Sequence, residues 1–324
     1  MSSEDAMSKI TEEGSNLEVP EGTAAEGGLH PAQTSMTEPV RPGCGAMAGG
    51  GPLTSVGNMP SLPGPKITPS YVYALGRIEP RFPRLGVEKE FAQATGRVGA
   101  AGLTDREALY KVLSKPENRY LARQLCWVFT IEGLETYILL PTCFGDFNLL
   151  VEAVRPGPRP TDVDIVIGAR GPLAPPEMCN GLMVPMVVFD QIYSFDVDSL
   201  IASIPHPEKG KKEERFEAAA EEVFWRISQM ADNAGATDEH RALNYLVVRY
   251  PAIYAKAAEE FARDFSLTEV ETRPSPLSGT RKVIDVIFSY TNRSSDFTEK
   301  FFVRVDVTEQ WPFLVTKISP YYDR

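Results

Sequence analysis

The C-terminal stretch KFFVRVDVTEQWPFLVTKISPYYDR, residues 300–324, alternates apolar and polar side chains on either side of a turn. In its first half every second residue from Phe301 to Val307 is apolar, so these residues share one face of a strand. Arg304 and Asp306 lie on the other face. The run VIDVIFSY at 283–290 precedes it and is equally rich in residues typical of strands. The pattern predicts strands over 283–290, 301–307 and 313–318 in an antiparallel sheet.

Two helical patterns come before this sheet. Apolar residues recur at three- and four-residue spacing from Phe216 to Met230, which predicts one apolar helical stripe. A second stripe runs from Leu243 to Phe261, with Thr237 as a helix start and Pro251 as a kink or a new beginning. We therefore expect the α+β class, with helices packed on one face of one or more antiparallel sheets.

The chain divides into three parts by composition. Residues 1–68 are rich in Gly, Pro, Ser, Thr and Glu, and the first 65 contain no aromatic residue, so we expect a disordered acidic tail and linker. Residues 69–207 predict an N-terminal α+β part that includes a hairpin over 125–141. Residues 208–324 form the C-terminal part, a helix pair followed by the antiparallel sheet.

The acidic composition disfavours nonspecific nucleic-acid binding. The net charge is −11, and such binding needs clustered basic residues. Lys209, Lys211 and Lys212 form the main basic cluster, and Glu213 and Glu214 follow at once. This short run is typical of a solvated helix start, and we expect no nucleic-acid partner.

The lengths of the apolar segments and the cysteine content predict where the protein is located. A membrane span needs about 18 consecutive apolar residues, and the sequence contains no such run. The N-terminal residues lack the apolar segment of a secretory signal. We therefore expect no membrane partner, a cytoplasmic location and reduced thiols at the four cysteines, Cys44, Cys126, Cys143 and Cys179.

Several motifs resemble a known family over roughly residues 70–324. They are YVYALGRIEPRFP (71–83), VEKEFAQATGR (87–97), CWVFTIEGLETYIL (126–139), GPLAPPEMCNGLMVPMVVFDQIYSF (171–195) and ALNYLVVRYPAIY (242–254). These segments, with the C-terminal strands, resemble the C-terminal domain of unknown function of cyanobactin maturation proteases of the PatG type.

The resemblance implies a setting and no reaction. In the cyanobactin pathway such domains follow a Pro/Gly-rich linker at the C-termini of two proteases. One protease removes the leader of a precursor peptide, and the other macrocyclises the core. This sequence has the domain and a linker-like tail without the protease, so we expect a stand-alone domain without protease activity.

One segment imitates a protease motif. Residues 34–39, TSMTEP, resemble the nucleophile segment of subtilisin-like proteases, with Ser35 in the nucleophile position. The leading Gly of that motif is replaced by Gln33, and the nearby His30 also lies in the predicted tail. A serine nucleophile needs a folded site with His and Asp partners, so no intact triad is expected.

The cysteines and histidines have two interpretations: a metal or nucleophile site, or a purely structural role. The four cysteines form no CxxC pair, and Cys126 is typical of a buried core thiol. Cys179 lies in a Pro/Gly-bounded loop and, with His206 or His240, is a weak candidate for zinc binding or nucleophilic chemistry. We favour His240 as a surface or capping residue, and we expect no cofactor.

Carboxylates in the middle of the chain offer another candidate site. A pair could act as acid and base or hold a divalent cation, but capping and turn roles are commoner for Asp. The residues concerned are Asp162, Asp164, Asp190, Asp196 and Asp198.

Aromatic and basic residues near the C-terminus are candidates for recognition. Tyr, Trp and Arg are favoured at binding hot spots, although at helical spacing they also build cores. The candidates for peptide or partner binding are Tyr245, Arg249, Tyr250, Tyr254, Trp311 and Phe313. An edge of the sheet could also bind an extended peptide by strand addition.

The sequence favours a noncatalytic recognition or assembly module in the maturation of ribosomal peptides. It would bind the precursor peptide, a maturation enzyme or a second copy of itself as a homodimer. The alternative is an uncharacterised peptide-modifying enzyme that depends on cysteine or a metal. A further alternative is an oligomeric scaffold unrelated to peptide maturation.

Overall fold

The computed structural model describes residues 70–98, 105–156, 163–196, 212–228 and 233–322. The predicted tail, residues 1–68, lies outside these ranges. The strands are β1 (Ser70–Arg81), β2 (Cys126–Ile131), β3 (Leu134–Pro141), β4 (Val163–Leu173), β5 (Pro185–Phe195), β6 (Phe265–Pro274), β7 (Val283–Asn292), β8 (Thr298–Asp306) and β9 (Phe313–Pro320). The helices are α1 (Leu85–Val98), α2 (Asp105–Leu113), α3 (Arg119–Gln124), α4 (Phe147–Ala153), α5 (Lys212–Ser228), α6 (Asp238–Arg249) and α7 (Ala252–Ala262).

Five strands close into a barrel in the order β1-β2-β3-β5-β4. The first strand, β1, serves two partners, because its first half pairs antiparallel with β4 and its second half with β2. The β3–β5 pair is parallel, whereas β2–β3 and β4–β5 are antiparallel. Closure leaves these strands without a free edge.

Gly76 lies where β1 changes partner. It pairs with Asp164 of β4, and the next residue of β1 pairs with Thr130 of β2. A Cβ atom at position 76 would lie 2.2 Å from the Thr130 carbonyl oxygen, closer than any side chain can approach. Beyond this point the Asp164 carboxyl group accepts hydrogen bonds from the Ile78 amide and the Ser194 hydroxyl, each at 2.9 Å. Asp164 thus fills the gap that opens between β1 and β4.

Alternate residues of β1 enter two different cores. Val72 and Ala74 belong to a core with Trp127 and Phe129 of β2 that also takes in the buried faces of α1 to α4. Tyr73, between them, belongs to the core beneath α5, α6 and α7. The period-two alternation of a strand therefore lets one strand serve both halves of the fold.

The C-terminal sheet has the order β6-β7-β8-β9, and all its pairs are antiparallel. Helices α5 to α7 cover one face, where Val223 and Leu246 pack on Val286 and Val303 in one buried core. The predicted helix break at Pro251 is confirmed, because α6 ends before it and α7 begins after it. The predicted α+β class is confirmed, with two mostly antiparallel sheets. None of the helices in the described ranges is long and apolar enough to cross a membrane.

The segment before α6 joins the barrel to the helices. Gly235 adopts φ +67° and accepts a hydrogen bond from the Tyr73 amide at 2.9 Å. Asn233 and Asn244 are buried and exchange amide hydrogen bonds of 2.7 and 3.2 Å, and Asn244 also donates to the Tyr73 carbonyl at 2.8 Å. The Tyr137 hydroxyl of β3 donates to the neighbouring Ala234 carbonyl. These bonds fix the register between the barrel and α6.

Candidate functional site

The C-terminal sheet has a second face that faces away from α5 to α7. On β7, Ile284, Val286 and Phe288 lie in the core under the helices, so the alternating residues Asp285 and Ile287 point the other way. We call this side the outer face. The side chains that strand alternation and the contacts below place there are Arg273, Arg281, Phe302, Arg304, Phe313 and Tyr321, and Trp311 lies in the segment that leads into β9.

The centre of the outer face is a cross-strand arginine–aspartate pair. Arg304 of β8 lies directly opposite Asp285 of β7 and donates its Nε–H to the carboxylate at 3.0 Å. Asp285 is almost fully buried, and this guanidinium is its ion-pair partner. The Arg304 guanidinium also lies 4.7 Å from the ring centroid of Phe302, two residues earlier on the same strand. The carboxylate and the ring together fix the guanidinium plane.

A second group made of an arginine, an aspartate and an aromatic ring lies at the end of β8. Arg281 donates to the buried carboxylate of Asp306 and lies 5.4 Å from the ring centroid of Phe313. Burial alone would raise the pKa of Asp306, but hydrogen bonds from Thr308 and Arg281 outweigh it and hold the pKa below its ordinary value. Asp306 therefore stays charged and keeps Arg281 beside the Phe313 ring.

A third arginine contact reaches across the sheet. Arg273 of β6 hydrogen-bonds to the hydroxyl of Tyr321, which follows β9, and its guanidinium lies 4.9 Å from that ring. Tyr321 in turn meets Phe302 edge-on at a centroid distance of 5.8 Å. Residues of the first and last strands thus meet over the two central strands, which helps to explain the burial of Ile287 beneath them.

Part of this surface is exposed and apolar. The side chains of Trp311 and Phe313 are 47% and 48% exposed, Val315 on the same strand as Phe313 is exposed, and so is Tyr322 beyond the other end of β9. Guanidiniums next to aromatic rings can bind carbonyl or carboxylate oxygens, while the rings accept apolar side chains. The outer face thus combines both kinds of group within the described residues.

Two of the predicted recognition residues, Tyr245 and Arg249, lie elsewhere, at the boundary between α6 and the barrel. Arg249 lies 5.3 Å from the Tyr193 ring, and the hydroxyls of Tyr73 and Tyr193 are 2.9 Å apart. Arg249 also hydrogen-bonds to both phenols, and burial raises the pKa of Tyr73 well above its ordinary value. Tyr245 packs edge-on against Tyr73. These contacts stabilise the joint between the two halves of the fold.

The other four predicted recognition residues are either buried or half-buried within the fold, or exposed at its surface. Tyr254 is fully buried and donates its hydroxyl to the Val247 carbonyl at 2.7 Å, so it is not accessible to a partner. Tyr250 is half-buried, and its hydroxyl is engaged with β9. Phe313 lies on the outer face, where it contacts Arg281, and Trp311 is exposed in the segment between β8 and β9.

The edge of β9, where strand addition would occur, is partly occupied by side chains of α6 and the residue that follows it. The Tyr250 hydroxyl accepts a hydrogen bond from the Ile318 amide at 3.0 Å, and Tyr245 accepts one from the Leu314 amide. On the opposite edge strand, β6, the Thr268 carbonyl accepts a hydrogen bond from Arg226 of α5 at 3.0 Å. Side chains of the helices therefore occupy edge groups that an added strand would need.

The prediction of reduced thiols is wrong, because Cys126 and Cys179 form a disulfide. Cys126 lies in β2, and Cys179 lies in the loop between β4 and β5, so 53 positions separate them and no short motif signals the pair. Ile138 and Ala174 pack around the bond. Since its sulfur is bonded, Cys179 is neither the nucleophile nor the zinc ligand considered from the sequence.

Within the described ranges, the histidine and aspartate candidates do not assemble into a metal site. No group of three possible metal ligands occurs among the residues that the structure describes. His240 lies in the first turn of α6, where its amide donates to the Thr237 cap at 3.1 Å, whereas His206 lies outside the described ranges. Asp164 is bonded as described above, and Asp190 accepts a hydrogen bond from Gln310. Asp162 and Asp198 also lie outside the described ranges, and Asp196 follows β5.

Comparison with known proteins assigns the C-terminal part. Residues 210–321, which include α5 to α7 and the C-terminal sheet, match the family described as PatG C-terminal. The chain carries a PatG C-terminal-type domain. A solved structure described as "PatG Domain of Unknown Function" shares the fold with a TM-score of 0.61 and 20% sequence identity, over 78% of this chain and 98% of that chain. No curated protein matches this chain. The resemblance inferred from the sequence is confirmed.

Four arginine and tyrosine side chains of this PatG C-terminal-type domain were missed from the sequence: Arg273, Arg281, Arg304 and Tyr321. Arg304 alone left a signal, because it alternates with apolar residues on β8. The other contacts depend on strand order, which places β6 and β9 on opposite sides of the two central strands.

Proposed function

We propose that this PatG C-terminal-type domain is a noncatalytic recognition module that binds an extended segment of a ribosomal precursor peptide on its outer face. The observation that supports it most is the pairing of exposed Phe313 with Arg281, which buried Asp306 holds in place; exposed Trp311 lies two residues earlier in the chain. Helices cover the opposite face of the sheet, and the outer face carries no such layer within the described residues.

The energetics favour binding at this surface. Aromatic and arginine side chains dominate hot spots, because each combines a large contact area with directional hydrogen bonds. The carboxylates of Asp285 and Asp306 already hold Arg304 and Arg281 in place. A partner therefore finds these side chains in position and loses less conformational entropy on binding.

The family supplies the proposed setting, which is cyanobactin-like peptide maturation in the cytoplasm. A precursor peptide is the occupant we favour, since the outer face offers rings for apolar side chains and guanidiniums for carbonyl or carboxylate groups. A maturation enzyme could present a similar extended segment. A precursor gene and a subtilisin-like protease gene beside this one would support the setting.

Fluorescence anisotropy with the labelled precursor peptide tests the proposal. The full chain should bind it with saturation, and a sequence-scrambled peptide should bind more weakly. Trp311→Ser and Phe313→Ser should each weaken binding by about 10-fold or more, the loss typical of a hot-spot residue. Trp225→Ser is the matched control, because Trp225 is 38% exposed but lies on α5.

The same samples separate the competing functions. Equal binding by the chain, Trp311→Ser and Phe313→Ser would contradict recognition at the outer face. A mass change in the peptide after incubation would favour the peptide-modifying enzyme. Concentration-dependent self-association that Phe313→Ser abolishes would instead assign the face to a homodimer.

A further inference from the structure

A separate cavity of about 300 Å³ lies in the N-terminal half of the domain, remote in sequence from the outer face. Its walls come from the end of α2, one side of α3, and α4 with the segment that leads into it. Leu113, Ala122 and Val151 line it and are themselves buried, so its lining includes an apolar part. The volume suits a compact organic group.

Two arginines line the same cavity. Arg119 and Arg123 lie one turn apart on α3. Like charges at this spacing destabilise a helix, so an anion between them would be stabilising. Neither guanidinium has an ion-pair partner among the described residues. Glu152, the acidic residue in the lining, is paired with Arg155 at 3.9 Å.

An aromatic ring completes the opposite wall. Phe144 is 58% exposed, and the Arg123 guanidinium lies 4.7 Å from its ring centroid. The contact holds Arg123 over the ring and leaves much of the ring accessible. Asn148 of α4 also lines the cavity and adds an amide that can donate or accept hydrogen bonds.

We infer that this cavity binds a carboxylate joined to an apolar group, with the carboxylate on Arg119 and Arg123 and the apolar group against Phe144. The C-terminal residue of a peptide and a free arylalkyl acid share this chemistry. The site is independent of the outer face, and its occupancy needs none of the residues proposed there.

Isothermal titration calorimetry of the full chain with three probes tests the inference. N-acetyl-L-phenylalanine resembles a peptide C-terminus, 3-phenylpropionate is a free acid, and N-acetyl-L-phenylalanine amide lacks the charge. Both acids should bind with saturation, and the amide should bind about 10-fold more weakly or not at all, since it loses a charge-assisted hydrogen bond. The tighter acid identifies the source of the natural ligand.

Variants localise the binding. Arg119→Gln and Arg123→Gln should each weaken acid binding by about 10-fold, while the exposed control Arg84→Gln should leave it unchanged. Arg119 has no ion-pair partner to lose, so Arg119→Gln should remain folded and decides the test if Arg123→Gln does not fold. Absence of saturable acid binding, equal binding of the amide, or insensitivity to Arg119→Gln would overturn the inference. Trp311→Ser should bind these probes normally.

Discussion

The hydroxyl of Tyr250, at the end of α6, accepts a hydrogen bond from the backbone amide of Ile318 in β9 at 3.0 Å. An edge strand normally leaves such amides open to another strand, and that invites pairing with a second chain. Here α6 supplies the acceptor. The edge is therefore partly closed, and the outer face becomes the more accessible part of the sheet.

Tyr250→Phe should open this edge. The change keeps the ring but leaves the Ile318 amide without its acceptor, and the free energy of unfolding should fall by about 1 kcal/mol. Amide hydrogen exchange at Ile318 should accelerate. Tyr322→Phe is the control, because its side chain is exposed. Unchanged exchange at Ile318 would show that the hydroxyl does not protect the amide.

Gly235→Ala should destabilise the joint between the barrel and α6. Position 235 has φ +67°, and a Cβ atom there would lie 2.3 Å from the Tyr73 carbonyl oxygen. Left-handed backbone alone costs about 1 kcal/mol for alanine, and the clash adds to it. Urea denaturation should show a loss of roughly 2–4 kcal/mol. Gly279→Ala, where a Cβ meets no atom within 4 Å, should be close to neutral.

Removal of the Cys126–Cys179 disulfide should destabilise the barrel. The bond closes a loop with a sequence separation of 53. Its removal gives the unfolded chain more conformational entropy, which should lower the free energy of unfolding by about 4 kcal/mol in the loop-entropy estimate. The Cys126→Ala, Cys179→Ala double variant should denature at a lower urea concentration than the parent. An identical midpoint would contradict the estimate. Thiol labelling in cell extract would show whether the bond persists in a reducing cytoplasm.

Because of Asp164, the free energy of unfolding should fall as the pH rises. Burial raises the pKa of its carboxyl group to about 6, despite hydrogen bonds from Ile78 and Ser194 that lower it. Between its ordinary pKa and about 6 the unfolded chain releases this proton and the folded chain retains it, so the stabilisation is present at low pH and lost through that range. The shift is equivalent to about 3 kcal/mol at most.

The Asp164→Asn variant isolates this effect from other carboxyl groups. The amide has no charge to desolvate and can still accept a hydrogen bond from Ile78. Relative to the parent, the variant should gain up to about 3 kcal/mol between about pH 4 and about pH 7. Parallel curves of unfolding free energy against pH for the two proteins would contradict a raised pKa at Asp164.

Local patterns predicted much of the fold, because strand alternation and helical stripes depend on neighbouring residues. The strands near Val283 and Phe301 and the break at Pro251 are examples. Closure of the barrel was not predictable, since it requires β1 to pair with both β2 and β4 and β3 to pair with β5 in parallel. The disulfide was missed for the same reason, because tertiary structure brings its two cysteines together.

The candidate site was predicted only in part. The sequence drew attention to Trp311 and Phe313, which the structure places at the surface, but helical spacing could not distinguish Tyr254 in the core from a surface residue. Arg304 pairs with Asp285 because of the β7–β8 register, which a single sequence does not reveal. The arginines of the outer face were therefore identified only from their neighbours in the three-dimensional structure.

Photo-crosslinking tests recognition at the outer face most directly. Phe313→p-benzoyl-L-phenylalanine places a photoreactive group on the outer face, and Trp225→p-benzoyl-L-phenylalanine places it on α5. Each chain is irradiated with the precursor peptide and digested, and the crosslinks are identified by mass spectrometry. We expect efficient capture from position 313 and little from position 225. Equal capture from both positions, or none from position 313 while the peptide is bound, would contradict recognition at the outer face.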